Sequence, residues 1–165
     1  VSIAFVEKGE PVLGVVFDPL RDELFTAEKG RGALLNDRRL RVAPRKGIDG
    51  ALIATGFPFR QRKLFDDHLG MVKALLKTGE DLRRTGSAAL DLAYVACGRF
   101  DAYFEMGLQP WDVAAGALLV REAGGQVTDM RGGDAFMANG HIVAANLNVG
   151  GELRTAIEPF VGGLN

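Results

Sequence analysis

Apolar and polar positions alternate in short runs over the first 42 residues and then switch to helical spacing. Strands are predicted over 1–7, 12–17 and 24–27, with turns at Lys8-Gly9-Glu10-Pro11 and Asp18-Pro19. After Gly30 and Gly32, strand-like pieces over 33–35 and 39–42 flank Asn36-Asp37-Arg38 as a short hairpin. Connections this short make an antiparallel meander. The style changes between Pro44 and Gly50. Phe65, Leu69, Val72, Leu75 and Leu76 stand at helical spacing within 63–77, and helices are predicted also over 87–96, 113–123 and 152–160. Short strands over 51–55, 81–85, 100–104, 126–129 and 142–145 alternate with them. The expected fold is therefore mixed α/β: an antiparallel sheet over 1–46, followed by a layered α/β domain over 47–165.

Composition narrows the function more than the fold. The chain has 165 residues, 47% of them apolar and 25% charged, close to ordinary soluble proteins. Twenty Lys and Arg against 21 Asp and Glu give a net charge of −1, which removes the general electrostatic case for direct nucleic-acid or anionic-membrane binding. The apolar run over 113–120 is far too short for a membrane span, and no export leader opens the sequence. Cys97 is the lone cysteine, so no intrachain disulfide can form, and a reducing, cytoplasmic setting is expected. His68 and His141 lack neighbouring His or Cys at ligand spacing, so a metal would be a hard cation held by carboxylates. Glycine, 22 of 165 residues, is in excess and announces many tight turns. Val1 stands inside a strand-like run, and the chain is expected to be cut from something longer.

Two segments could carry chemistry. Arg83-Arg84-Thr85-Gly86-Ser87-Ala88 joins a strand to a helix, and a helix start offers free N–H groups and a positive dipole end to a phosphate. By itself the pattern is better explained as an N-cap by Ser87 after a glycine turn. Farther on, Glu105 ends a strand and Asp112 opens a helix, with Pro110 fixing the approach. Both acids could face one cleft, Asp112 as a cation ligand and Glu105 as an acceptor for substrate hydroxyls. Spacing alone favours capping for Asp112 and a solvated strand end for Glu105. The Ala114-Ala115-Gly116-Ala117 run makes a small helix face suited to close packing, and Trp111 is expected in a core or lid role. Asp91, Asp101, Glu122, Asp129 and Asp134 read as surface or capping acids, both histidines as solvated or capping, and Cys97 as a small core residue.

Trp111-Asp112-Val113-Ala114-Ala115-Gly116, continuing to Glu122-Ala123-Gly124-Gly125, resembles the C-terminal signature of the inositol monophosphatase family. The run from Arg83 to Asp91, the Glu105-Met106-Gly107 segment, the opening Val1-Ser2-Ile3-Ala4 and Asp18-Pro19 with Glu23-Leu24-Phe25 are similar to its bacterial SuhB-type branch. The resemblance implies an αβαβα fold and a Mg²⁺-dependent, lithium-inhibited phosphomonoesterase, usually a homodimer, acting on a small phosphorylated polyol such as myo-inositol 1-phosphate. Fructose bisphosphate, nucleotide 3′-phosphate and histidinol phosphate are its rivals. It further implies Asp112 as metal ligand, Glu105 as hydroxyl contact, Gly86, Ser87 and Ala88 as substrate donors, and Arg83 as a substrate contact, possible across the dimer. The family's Asp-Pro-Ile/Leu-Asp-Gly-Thr motif is absent, so no complete catalytic set is expected and the chain alone should be inactive. The SuhB-type branch also suggests a second role, a protein-binding factor in ribosomal RNA transcription complexes.

Overall fold

The computed structural model describes residues 1–164. Strands β1 (Ser2–Glu7), β2 (Glu10–Asp18), β3 (Glu23–Glu28), β4 (Gly32–Leu35) and β5 (Arg38–Arg39) form one antiparallel sheet in chain order. Two of its turns are tighter than the sequence suggests. Glu7 pairs with Glu10 across Lys8 and Gly9, and Leu35 with Arg38 across Asn36 and Asp37. All four turn residues have positive φ, the backbone twist that matches a two-residue hairpin. Arg38 therefore lies in the strand and not in the turn.

The second sheet is built from β6 (Leu52–Thr55), β7 (Asp81–Arg83), β8 (Ala102–Glu105), β9 (Gln126–Thr128) and β10 (Ile142–Ala145), in the order β7-β6-β8-β10-β9. β6 runs parallel to β7 and β8, whereas β10 is antiparallel to β8 and β9. Helices α1 (Phe65–Leu75), α2 (Ala88–Ala96), α3 (Pro110–Glu122), α4 (Phe136–Asn139) and α5 (Leu147–Ile157) connect these strands. Every residue of β10 is buried, as expected for a strand covered on both faces.

Two helices sit between the sheets. Val16 and Phe25 of the first sheet share one buried cluster with Leu92 of α2, Val113 and Leu119 of α3, and Tyr103 and Ala144 of the second sheet. Residue 46 thus separates the sheets but not the core. A Cβ on Gly14 would stand 3.0 Å from the Ala115 carbonyl oxygen, so β2 and α3 approach backbone to backbone along the small face read from the sequence. On the far side of the second sheet, Met71 and Leu75 of α1 and Leu153 and Ile157 of α5 close a second cluster over Ile53, Phe104 and Val143. The layer order is sheet, helices, sheet, helices. The outer face of the first sheet carries no helix among the described residues.

Two helix starts differ from expectation, and one short helix is additional. α3 begins at Pro110, since proline suits a first helical position whose N–H needs no partner. α5 begins at Leu147, where the Asn146 side chain accepts from the Val149 N–H at 2.9 Å while donating to the Ala43 and Arg45 carbonyls. Gly150 and Gly151 disguise that turn as a loop. The four-residue α4 was not anticipated, and Gly140 ends it in the left-handed conformation.

Candidate active site

A cavity of about 460 Å³ opens where the N-termini of α2 and α3 meet the C-terminal ends of β6 and β8. Gly86, Ser87, Ala88, Glu105 and Asp112 all line it. The two candidate segments, remote in sequence, therefore converge. Arg83 does not line the cavity; it is exposed and ion-paired with Asp81, and its neighbour Arg84 takes the place at the wall.

The turn into α2 shows why glycine is needed. Gly86 has φ +96°. Ser87 is the N-cap and its hydroxyl accepts from the Leu90 N–H at 3.4 Å, so the capping explanation holds as well. The first N–H groups of α2 have no partner within the helix, and residues 86–90, which carry them, line the cavity.

Asp91 is the residue the sequence placed wrongly. It is 1% exposed, not a surface acid, and it lines the cavity. One of its oxygens accepts from the Thr85 hydroxyl at 2.5 Å, tying the first turn of α2 back across Gly86. Burial pushes its carboxyl up to about 6, partly offset by the Thr85 hydrogen bond and the Arg84 charge. The available signal was its position between Leu90 and Leu92 in a wholly apolar helix.

Glu105 is half-buried at the end of β8. Its carboxylate accepts from the Tyr103 hydroxyl at 2.5 Å. Burial raises its pKa to about 7; Tyr103 and Arg84 oppose the shift, and the Asp91 and Asp112 charges add to it. A Cβ on Gly56 would collide with this carboxylate, so any larger residue there would have to push the Glu105 side chain aside. Asp112 accepts from the Gln109 N–H at 3.0 Å through one oxygen. Its capping role is thus real and occupies only one of two acceptors. Asp18 contributes from the first sheet, held by the Leu20 N–H and Arg21.

Trp111 belongs neither to the core nor to a closed lid: it is 69% exposed at the cavity mouth. Both histidines are buried, contrary to expectation. His68 lies edge-on to Phe57 and beside Phe104, neither ring nitrogen has a partner, and burial lowers its pKa to about 4. His141 accepts from the Gly107 N–H at 3.4 Å through Nδ1, behind the segment that follows Glu105. Asp129 is buried too, because its carboxylate organises a turn by accepting from the Arg131 and Gly133 N–H groups.

The carboxylates are hard oxygen donors of the kind Mg²⁺ prefers. Among the described residues, however, no three acidic, His or Cys side chains come together closely enough to hold a metal ion. Asp112 and Glu105 bring carboxylate oxygens to the cavity, but the described residues do not gather a full set of ligands there.

The profile of the inositol monophosphatase family matches residues 1–159. The chain is 55% identical over 163 residues to the Nus factor SuhB of Xylella fastidiosa, covering 95% of this chain and 59% of that protein. It is 53% identical to the Nus factor SuhB of Pseudomonas aeruginosa, covering 98% and 60%. Among solved structures, the extragenic suppressor protein suhB from Bartonella henselae superposes with a TM-score of 0.91 at 45% identity, over 95% of this chain and 60% of that one. The inositol monophosphatase from Anabaena gives a TM-score of 0.91 at 40% identity, over 96% and 65%. The chain spans about 60% of the length of the curated relatives it matches.

Proposed function

The chain belongs to the inositol monophosphatase family, and we propose that its cavity is the substrate half of a site hydrolysing small phosphate monoesters. The observation that carries this is the convergence of two helix N-termini with Glu105 and Asp112 in one cavity. Free N–H groups at residues 86–88 suit a phosphoryl group, with the helix dipoles adding to the attraction. Glu105, facing the same space, suits the hydroxyls of a polyol, and myo-inositol 1-phosphate is the first substrate to try. The cavity volume fits a ligand of that size. Asp112 is proposed as this chain's ligand to Mg²⁺, a cation that elsewhere clamps phosphoryl oxygens and activates water. Since the described residues complete no metal site, hydrolysis is assigned to the whole protein, as a homodimer, and lithium inhibition with it. Arg83 keeps a proposed role only as a contact across such a dimer.

A second reading follows from the printed names of the relatives, which are Nus factors. A protein-binding role in transcription complexes would use surfaces outside the cavity.

Phosphate release from myo-inositol 1-phosphate with Mg²⁺ separates the readings. A full-length polypeptide containing these residues is expected to turn over, the 165 residues alone are not, and Asp112→Asn in the full-length form should remove at least ~100-fold of the rate, the scale of losing a metal interaction. Unchanged turnover in Asp112→Asn defeats the assignment. Capture of transcription factors that survives Asp112→Asn in an inactive protein favours the second reading.

A further inference from the structure

Glu105, the acid proposed to receive the substrate's hydroxyls, is itself held by a buried neighbour. Its strand, β8, is central in the second sheet, and side chains two residues apart on a strand share a face. Tyr103 and Glu105 therefore point the same way, while Phe104 between them joins the opposite cluster. Tyr103 is flanked in register by Ala54 of β6 and Ala144 of β10, two small residues that leave room for its ring. It is fully buried in the cluster shared with α2 and α3. A phenol enclosed in this way needs a hydrogen-bond partner, and its hydroxyl donates to Oε2 of Glu105 at 2.5 Å.

Satisfying a buried hydroxyl does not call for a carboxylate; a backbone carbonyl would serve without burying charge. The pair is better understood from the side of Glu105. On its other flank the backbone of Gly56 approaches so closely that a Cβ there would overlap the carboxylate. Tyr103 thus fixes one oxygen, Gly56 restricts the side chain, and Oε1 has no hydrogen-bond partner among the described residues. Because Glu105 lines the cavity, that free oxygen is the acceptor left for a ligand. Burial, with the Glu105 charge adding to it, keeps the phenol's pKa well above its usual value, so Tyr103 remains a donor. Tyr103 itself does not line the cavity, and any effect it has on a ligand must pass through Glu105.

A long carboxylate side chain left free in the cavity would have to be ordered each time a substrate binds, and ordering it beforehand removes that cost. The gain reaches only those substrates that use the carboxylate. We infer that Tyr103 is a positioning residue that makes the cavity selective for the alcohol half of its ester: by immobilising Glu105 it favours phosphate monoesters whose alcohol carries free hydroxyls over esters that carry none. The inference rests on the phosphatase reading of the cavity given above. It assigns discrimination between alcohols to a side chain that the substrate never touches.

The test is steady-state kinetics of the full-length protein with Mg²⁺ on two esters, myo-inositol 1-phosphate and 4-nitrophenyl phosphate, whose alcohol has no further hydroxyl. Tyr103→Phe should raise KM for the inositol ester about ten-fold, the scale of one hydrogen bond to a charged group, with kcat near the parent value. The aryl ester should lose little in either constant. Tyr94→Phe removes the chain's other phenol hydroxyl, from a ring packed on Phe25 and Phe100 away from the cavity, and should alter neither substrate. Adding Tyr103→Phe to Glu105→Ala should raise KM no further than Glu105→Ala alone, because the hydroxyl then has nothing to hold. Equal losses on both esters, additive losses in the double variant, or an unchanged KM for the inositol ester in Tyr103→Phe would each overturn the inference and leave the phosphatase reading standing. A parent that turns over neither ester removes that reading, and this inference with it. A folding defect in Tyr103→Phe would register in circular dichroism and as a loss on both esters.

Discussion

His68 is enclosed by Phe57 and Phe104 with both ring nitrogens unpartnered, and its pKa drops to about 4. The unfolded chain takes up this proton near pH 6.5, whereas the native state refuses it until about 4. Its contribution to stability is thus fully present above pH 6.5 and falls away toward 4, with a limiting slope of about 1.4 kcal/mol per pH unit. Denaturant unfolding of His68→Leu should show a shallower loss between pH 6.5 and 4 than the parent; parallel curves would mean His68 is solvated after all. Gly56→Ala tests the close approach to Glu105. Displacing that carboxylate should weaken binding of a polyol monoester about ten-fold, or ~1.4 kcal/mol, with a smaller effect on inorganic phosphate, both read by titration. Asp112, Glu105, Gly86 and Ser87 could be found from the sequence because they punctuate element ends, where chemistry and capping share the same residues. Asp91 carried only a weak local signal, its place in an otherwise apolar helix, and His68 and His141 carried none, because their environments are made by side chains distant in the sequence.

Helix α3 shows what an element contributes. Its small face lets it lie against Gly14 of β2 and Leu92 of α2 at once, and this packing fixes the helix whose first turn carries Asp112. Two helical glycines allow a comparison of one chemical change in two settings. A Cβ on Gly116 would stand 2.5 Å from the Leu92 Cβ, whereas one on Gly151 in α5 meets nothing within 4 Å. Gly116→Ala should cost about 1–3 kcal/mol through overpacking. Gly151→Ala should stabilise by roughly 0.5–1 kcal/mol by restricting the unfolded chain. Thermal melts showing the same sign for both would contradict the close packing of α2 on α3. Element existence and type were largely readable from periodicity. The boundaries moved where a cap replaced a pattern: Pro110 began α3 early, and Asn146 began α5 inside an apparent glycine loop.

At the scale of the whole molecule, the first sheet is the exposed side of the layered core. Val1, Ile3, Phe5, Leu13 and Leu24 are all exposed large apolar residues of this sheet or its start, where an antiparallel sheet facing water would carry polar ones. A contiguous apolar face of this kind drives association. Sedimentation of the 165 residues should therefore show concentration-dependent self-association, reduced by Phe5→Lys/Leu13→Lys; a clean monomer at high concentration would contradict this account of the face.

The central claim is that a phosphate monoester occupies the cavity between α2 and α3. Trp111 is the only tryptophan and stands exposed at its mouth, so it reports on that place without a label. Its fluorescence should be followed during titration of the full-length protein with myo-inositol 1-phosphate in the presence of Mg²⁺. A saturable change that Glu105→Gln weakens is the predicted result. Turnover of the ester with no change in Trp111 emission, or a change indifferent to Glu105, would place the substrate elsewhere and contradict the account.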